Sequence, residues 1–256
     1  MAHDNPAAAA MTVAYGRLSD RGIDPRQVIG NAEFGPIDVA GLYEMLGMIA
    51  ATEKAGQGPT YALARLALQS GLPSEVADTL FLAYNQQSAE EAGHGDKVFG
   101  NAYFLMGGYA PSSDQSAVGS GAADFLRPGP DKQENKKRLG GLAGVLGGIE
   151  TVALNNVFPL IVSLCEGWDH PIARDLLLQI RDTVRPEESR HVLIWRYVFH
   201  HLIAPKGQRV IDMYLEATNT GRRQIGGLTL DSKTFARMQG SAAPTTRQLL
   251  GKDRVV

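Results

Sequence analysis

Glu91-Ala92-Gly93-His94 and Glu188-Ser189-Arg190-His191 each place a carboxylate and an imidazole three positions apart. On an α-helix such positions lie about one turn away and roughly 60° around, so both side chains can reach one metal ion. One such tetrad arises easily by chance. The register of two more glutamates makes the pair informative: Glu53 and Glu150 each precede a tetrad glutamate by the same interval (91 − 53 = 38; 188 − 150 = 38). A shift of 97 positions (150 − 53 = 97) therefore carries Glu53, Glu91 and His94 onto Glu150, Glu188 and His191.

The elements that must position these residues read as helices, because apolar residues recur at helical spacing in four long segments and no period-2 alternation competes. The segments are about 38–70, 73–107, 135–165 and 171–202. Ser70-Gly71-Leu72-Pro73 joins the first two and Glu166-Gly167-Trp168-Asp169-His170-Pro171 the last two, each a glycine stop followed by a proline start. Two helical hairpins result, with a Gly-, Ser- and Pro-rich crossover at 109–132. The midpoints of the two 38-residue intervals, Leu72 and Asp169, fall inside the turns. All four glutamates then lie at one depth, roughly 28 Å from the turns. An amphipathic helix at about 208–221 is expected to pack across an end of the bundle, followed by a polar, irregular tail, with all of 1–256 forming one domain. The alanine-rich start, residues 1–10, is expected to fray.

If these were solvated glutamates and satisfied core histidines, Glu53 and Glu150 would not sit among Leu46, Ile49, Ala50 and Leu146, Ile149, Ala153. Carboxylates near 4 Å repel by about 4 kcal/mol per pair at an effective dielectric of 20, so divalent metal or protons must hold the cluster together. The donor types favour iron or manganese over magnesium, which prefers all-oxygen shells.

Glu53, Glu91-x-x-His94, Glu150 and Glu188-x-x-His191 resemble the ligand set of the ferritin-like di-iron oxidase and oxygenase superfamily, over residues 38–202. The resemblance implies an all-α, ferritin-like four-helix bundle, with two iron ions, or an Mn/Fe or Mn/Mn pair, in the bundle core. It also implies oxygen activation for a small organic substrate and a separate electron donor. Peroxide handling by a dimanganese or di-iron centre, and iron oxidation and storage, are the competing functions. Val98 and Trp195 stand four positions beyond the tetrad histidines; many reductase small subunits carry a radical tyrosine four after the first such histidine, so Val98 there, with the short chain, counts against that branch of the superfamily.

Around the six ligands, Gln57 and Gln87 lie four positions from Glu53 and Glu91 and are candidate supporting residues, as is Tyr84, seven before Glu91. Glu90 and Glu187 point about 100° off the site face and read either as acceptors that support the site or, by preference, as solvated charges. Gly93 and Gly147 read as leaving room beside the metals. Pro59, Pro159 and Pro186 are expected to disturb their helices.

The balance of 25 basic and 27 acidic residues supplies no field for nucleic acid or anionic lipid. The single cysteine, Cys165, excludes an intrachain disulfide and a thiolate metal site. No basic, apolar leader opens the sequence and no run of about 18 uncharged apolar residues occurs, so a cytoplasmic protein without a membrane is expected; a homodimer is compatible. The register predicts about two metal ions per chain. Glu53→Ala should lower that stoichiometry by metal analysis and Glu44→Ala, nine residues away, should not; the opposite result would break the register.

Overall fold

Caps in the sequence set where the long helices begin. The computed structural model describes residues 6–109, 126–240 and 242–251. Asp38 Oδ1 accepts from the Gly41 N–H at 2.7 Å and opens α2, Val39–Gln69, after α1, Pro6–Asp20. Gly71 takes a left-handed φ of 59°, which suits glycine, and reverses the chain into α3. That helix spans 74–105, as α-helical Ser74–Gly93, π-helical His94–Phe99 and α-helical Gly100–Leu105. Asp131 accepts from the Gln133 and Glu134 N–H groups and opens α4, Lys132–Glu166, with a π turn at Ala153–Val157. His170 Nδ1 accepts from the Ile172 N–H at the head of α5, 171–203, which has π turns at Ile180–Val184 and Phe199–Ile203.

The protein is mostly helical, as expected for an all-α chain. In the hairpin across Gly71, α2 packs on α3; α4 packs on α2, and α5 on α3 and α4. The apolar core is split along every one of these helices. One cluster includes Ala55 and Leu63 of α2, Leu80 and Tyr84 of α3, Leu139 and Ile149 of α4, and Ile194 and Val198 of α5. The other includes Leu46 and Ala50, Val98 and Phe99, Phe158 and Ile161, and Ile180 and Val184. Between them, on each helix, falls the stretch that holds the Glu and His residues.

Three of the four π turns stop two residues before a proline: Val157 before Pro159, Val184 before Pro186 and Ile203 before Pro205. Proline has no N–H for the carbonyl four residues back, and its ring crowds that carbonyl. The widened turn answers this. The N–H of the residue before each proline bonds five residues back, Phe158 to Ala153, Arg185 to Ile180 and Ala204 to Phe199. Pro59 causes no such turn, and α2 runs through it as α-helix.

Several expectations need correction. From Pro6 onward the start is helix α1, because its alanines are strong helix formers that gain a core to pack on through Ala14 and Leu18; residues 1–5 lie outside the described set. A two-stranded antiparallel hairpin, β1 Val28–Asn31 and β2 Gly35–Asp38, precedes α2, with strands too short for alternation to register. It backs onto the end of α4, where Gly167 approaches the Gly30 backbone. Most of the expected crossover, residues 110–125, lies outside the described residues. Helix α6, Gln208–Gln224, lies along α4 rather than across an end, and the tail adds α7, Ser232–Gln239, and α8, Thr246–Leu249, anchored by buried Phe235 and Leu249. By length and composition α4 alone among the described helices is apolar enough to cross a membrane; half of its 18-residue window of mean hydropathy 1.6 is buried.

The seam between α4 and α6 explains its direction. A Cβ on Gly148 would stand 2.1 Å from the Thr218 carbonyl oxygen, and one on Gly221 1.8 Å from that of Val145. Backbone meets backbone, so Gly221→Ala should cost about 1–3 kcal/mol as overpacking. Gly16→Ala, at an exposed position of helix α1 with open space around it, should instead stabilise by about 0.5–1 kcal/mol. Thermal unfolding of both variants reads the two signs; equal shifts would refute the seam.

Candidate metal centre

Glu53, Glu91, His94, Glu150, Glu188 and His191 are all buried. Their ligand atoms form two groups, each with its atoms within 4.8 Å of one another: Glu53, Glu91, His94 and Glu188, and then Glu91, Glu150, Glu188 and His191. Glu91 and Glu188 belong to both. The 97-position shift exchanges the two groups, since Glu53, Glu91 and His94 pass to Glu150, Glu188 and His191 while Glu188 passes back to Glu91.

Glu188 sits between the histidines, its Oε1 3.0 Å from His94 Nδ1 and its Oε2 3.1 Å from His191 Nδ1. His94 Nδ1 is also 3.3 Å from Glu53 Oε2, and His191 Nδ1 3.4 Å from Glu91 Oε1 and 3.7 Å from Glu150 Oε1. Both Nδ1 atoms thus face the carboxylates. The buried Glu188 Oε1, despite that 3.0 Å approach, makes no well-aligned hydrogen bond among the described residues. An acceptor stranded among converging carboxylates and imidazoles suits a cation, and the cluster could hold metal ions.

The two Nε2 atoms face outward. His94 Nε2–H donates to Glu187 at 2.8 Å, and His191 Nε2–H to Glu90 at 2.9 Å. Arg190 bonds Glu90 and lies 3.8 Å from Glu187, and Gln86 donates to Glu90 at 2.8 Å. Reading Glu90 and Glu187 as solvated charges is therefore wrong: each points off its own helix's site face, and so reaches the histidine of the helix opposite. Such partners fix an imidazole's orientation and leave Nδ1 for the ion. Their signal lay in the sequence, because Glu90 and Glu187 obey the same shift (187 − 90 = 97). Arg190 does not, its counterpart being Gly93, and nothing in the sequence singled it out.

Gln87 donates to Glu91 at 3.1 Å and to Glu150 at 3.0 Å, tying α3 to α4. Gln57 is exposed and only its backbone carbonyl is engaged, by Ser88 and Thr60; it does not support Glu53. Its four-residue offset fails because the outer side of α2 begins there. Tyr84 is buried with its hydroxyl unpartnered among the described residues, and no hydrogen bond joins it to the cluster. Gly147 leaves no room: a Cβ there would enter the Trp195 ring at 2.3 Å. Gly93 does have open space, and Gly56 gives the Glu91 carboxylate its place, 3.1 Å from where a Cβ would stand. Beside the cluster lies a cavity of about 390 Å³ against Glu53, Glu91 and Glu150.

Without metal the cluster must share protons. Burial, then the charges of Glu150, Glu53 and Glu188, pushes Glu91 well above the usual carboxylate range, and burial with Glu188 does the same to Glu150. Burial would lower His94, but the close carboxylates of Glu187, Glu188 and Glu53 prevail and raise it to about 12; His191 also rises well above its ordinary value, against burial, chiefly through Glu188. Burial would raise Glu188, yet His191 and its hydrogen bonds hold it well below the usual range.

The chain matches no family model, no curated protein and no solved structure.

A pH dependence follows. Above 6.5 and up to about 12, the folded metal-free chain keeps a proton on His94 that the unfolded chain has released, so stability falls as pH rises through that window. His191, Glu91 and Glu150 act in the same direction, whereas the lowered carboxyls Glu188 and Glu90 act oppositely only below 4.5. The melting temperature of the metal-free protein should drop between pH 6.5 and about 9. Metal loading should remove the drop and release protons, counted by calorimetry in buffers of different ionisation enthalpy. A flat profile in both forms would contradict proton sharing.

Proposed function

We infer that the chain is an oxygen-activating, non-haem di-iron oxidase or oxygenase of ferritin-like architecture, acting on a small organic substrate. The observation that carries this reading is the pair of four-residue groups that share Glu91 and Glu188 and open on one side to a cavity. Four long helices, in two hairpins, bring one carboxylate each to the cluster, which supports the ferritin-like arrangement. Glu53 and His94 would hold one ion, Glu150 and His191 the other, and Glu91 and Glu188 would lie between them. Two iron ions bound here would supply the redox chemistry with dioxygen.

The chain's own residues do the rest. Glu90 and Glu187 keep each imidazole in the tautomer that leaves Nδ1 free. Gln87 fixes the relative positions of Glu91 and Glu150 through its two hydrogen bonds. Ile49, Leu146 and Phe158, buried along the cavity, keep water away from the reacting side. A separate donor would supply the electrons, since a single cysteine leaves no iron–sulfur site in this sequence.

The test is to load the protein with iron, reduce it without oxygen, then follow oxygen uptake with and without pooled cell metabolites. Uptake of about one dioxygen per two irons, accelerated by a metabolite that is itself consumed, is expected, with Glu90→Ala slowing it by about 10–100-fold as other supporting carboxylates do. Growth of a mineral with many irons per chain would replace this reading with storage. Disproportionation of added peroxide without any metabolite would replace it with peroxide handling.

A further inference from the structure

The cavity beside the cluster has a composition that restricts what it accepts. Its charged wall is formed by Glu53, Glu91 and Glu150 alone, and neither cluster histidine lines it, so a molecule inside approaches from the carboxylate side. The remaining wall is aliphatic or aromatic: Ile49, Leu146, Ile149 and Phe158 are buried, while Ala153 and Val157 belong to the π turn of α4. The two threonines in the wall offer no free hydroxyl proton, because Thr52 donates to the Met48 carbonyl at 3.0 Å and Thr60 to those of Gly56 and Gln57. Met48 and Gln224 are exposed and mark the rim, beside Ile225. Among the described residues, the wall contains no lysine, arginine or histidine.

Each kind of ligand meets this wall differently. A carboxylate or phosphate inside would be desolvated with no cationic side chain in the wall, and would have to approach any bound ion from the side that Glu53, Glu91 and Glu150 occupy. A sugar or other polyol would lose its water to a wall whose hydroxyls are already committed. An ammonium would be drawn to the carboxylates only while they lack metal, and would be repelled by bound cations. An uncharged chain or ring, with at most one terminal polar group, gains from every methylene it buries.

We propose that the cavity binds an uncharged, predominantly apolar molecule, entering between Met48 and Gln224 and laying its inner end against the carboxylate side of the cluster. This rests on the metal-centre reading for the identity of the reacting end, but the shape and chemistry of the wall carry the substrate class. Ala153 sets the width, since it lies in the widened turn next to Glu150, and Ile225 sets the entrance.

The experiment uses straight-chain primary alcohols of increasing length, with a carboxylate and an ammonium of the best length, titrated calorimetrically into the full-length, metal-loaded protein under nitrogen, and into the metal-free form. Affinity for the alcohols should rise about fourfold per methylene and then stop when the cavity is full. The carboxylate and the ammonium should bind the loaded protein at least tenfold more weakly than the alcohol. Ala153→Phe should weaken the longest alcohol at least tenfold at unchanged metal content. If that variant does not fold, Ile225→Trp at the half-buried rim serves the same purpose. No dependence on chain length, or equal or tighter binding of the carboxylate or the ammonium, overturns the proposal. Loss of metal binding with the alcohol series intact would sink the di-iron reading and leave the cavity's selectivity standing. Metal binding with oxygen uptake but no alcohol binding would do the reverse.

Discussion

Glu53, Glu91, Glu150 and Glu188 are buried at one level between four helices, and the electrostatics of that layer constrain everything around it. Charge at this density cannot stand alone in an apolar interior, so each carboxylate must be matched by a proton, an imidazole or a cation. The consequences spread outward. Imidazoles come from α3 and α5, their outer nitrogens are met by Glu187 and Glu90 of the facing helix, and Arg190 offsets those two acids in turn. The apolar core accordingly forms on either side of a polar layer instead of running through it.

Much of this was legible because helical spacing and chain reversal are local properties. Two glycine–proline turns with equal arms to Glu53 and Glu91, and to Glu150 and Glu188, place the four carboxylates at one depth without knowledge of the packing. Glu90 and Glu187 were undervalued for a physical reason. Direction on a single helix shows which face a residue occupies but not what the neighbouring helix presents there. The hairpin of β1 and β2 escaped notice because two four-residue strands hold too little pattern, and the run of α6 along α4 because glycines signal close approach without naming the partner.

The π turns show how proline shapes a helix from a distance. Pro159 follows the turn that forms part of the cavity wall, and Pro186 follows the turn that precedes Glu188, so the backbone departs from regular α-helix beside the charged layer rather than at random. The missing N–H is absorbed by a wider ring of hydrogen bonding, and the helix continues with its later residues rotated relative to its earlier ones. On α5 this rotation sets where the 188–191 tetrad points.

Helix α6 contributes none of the six clustered side chains, yet its end supplies Gln224 and Ile225 at the mouth of the cavity, and glycine-to-carbonyl contacts seat the same helix on α4. On the proposed reading, reactivity and admission fall to different stretches of polypeptide. Changes along that seam could narrow or widen the doorway while every donor atom stayed in place, so the repertoire of guests could vary independently of the chemistry that awaits them.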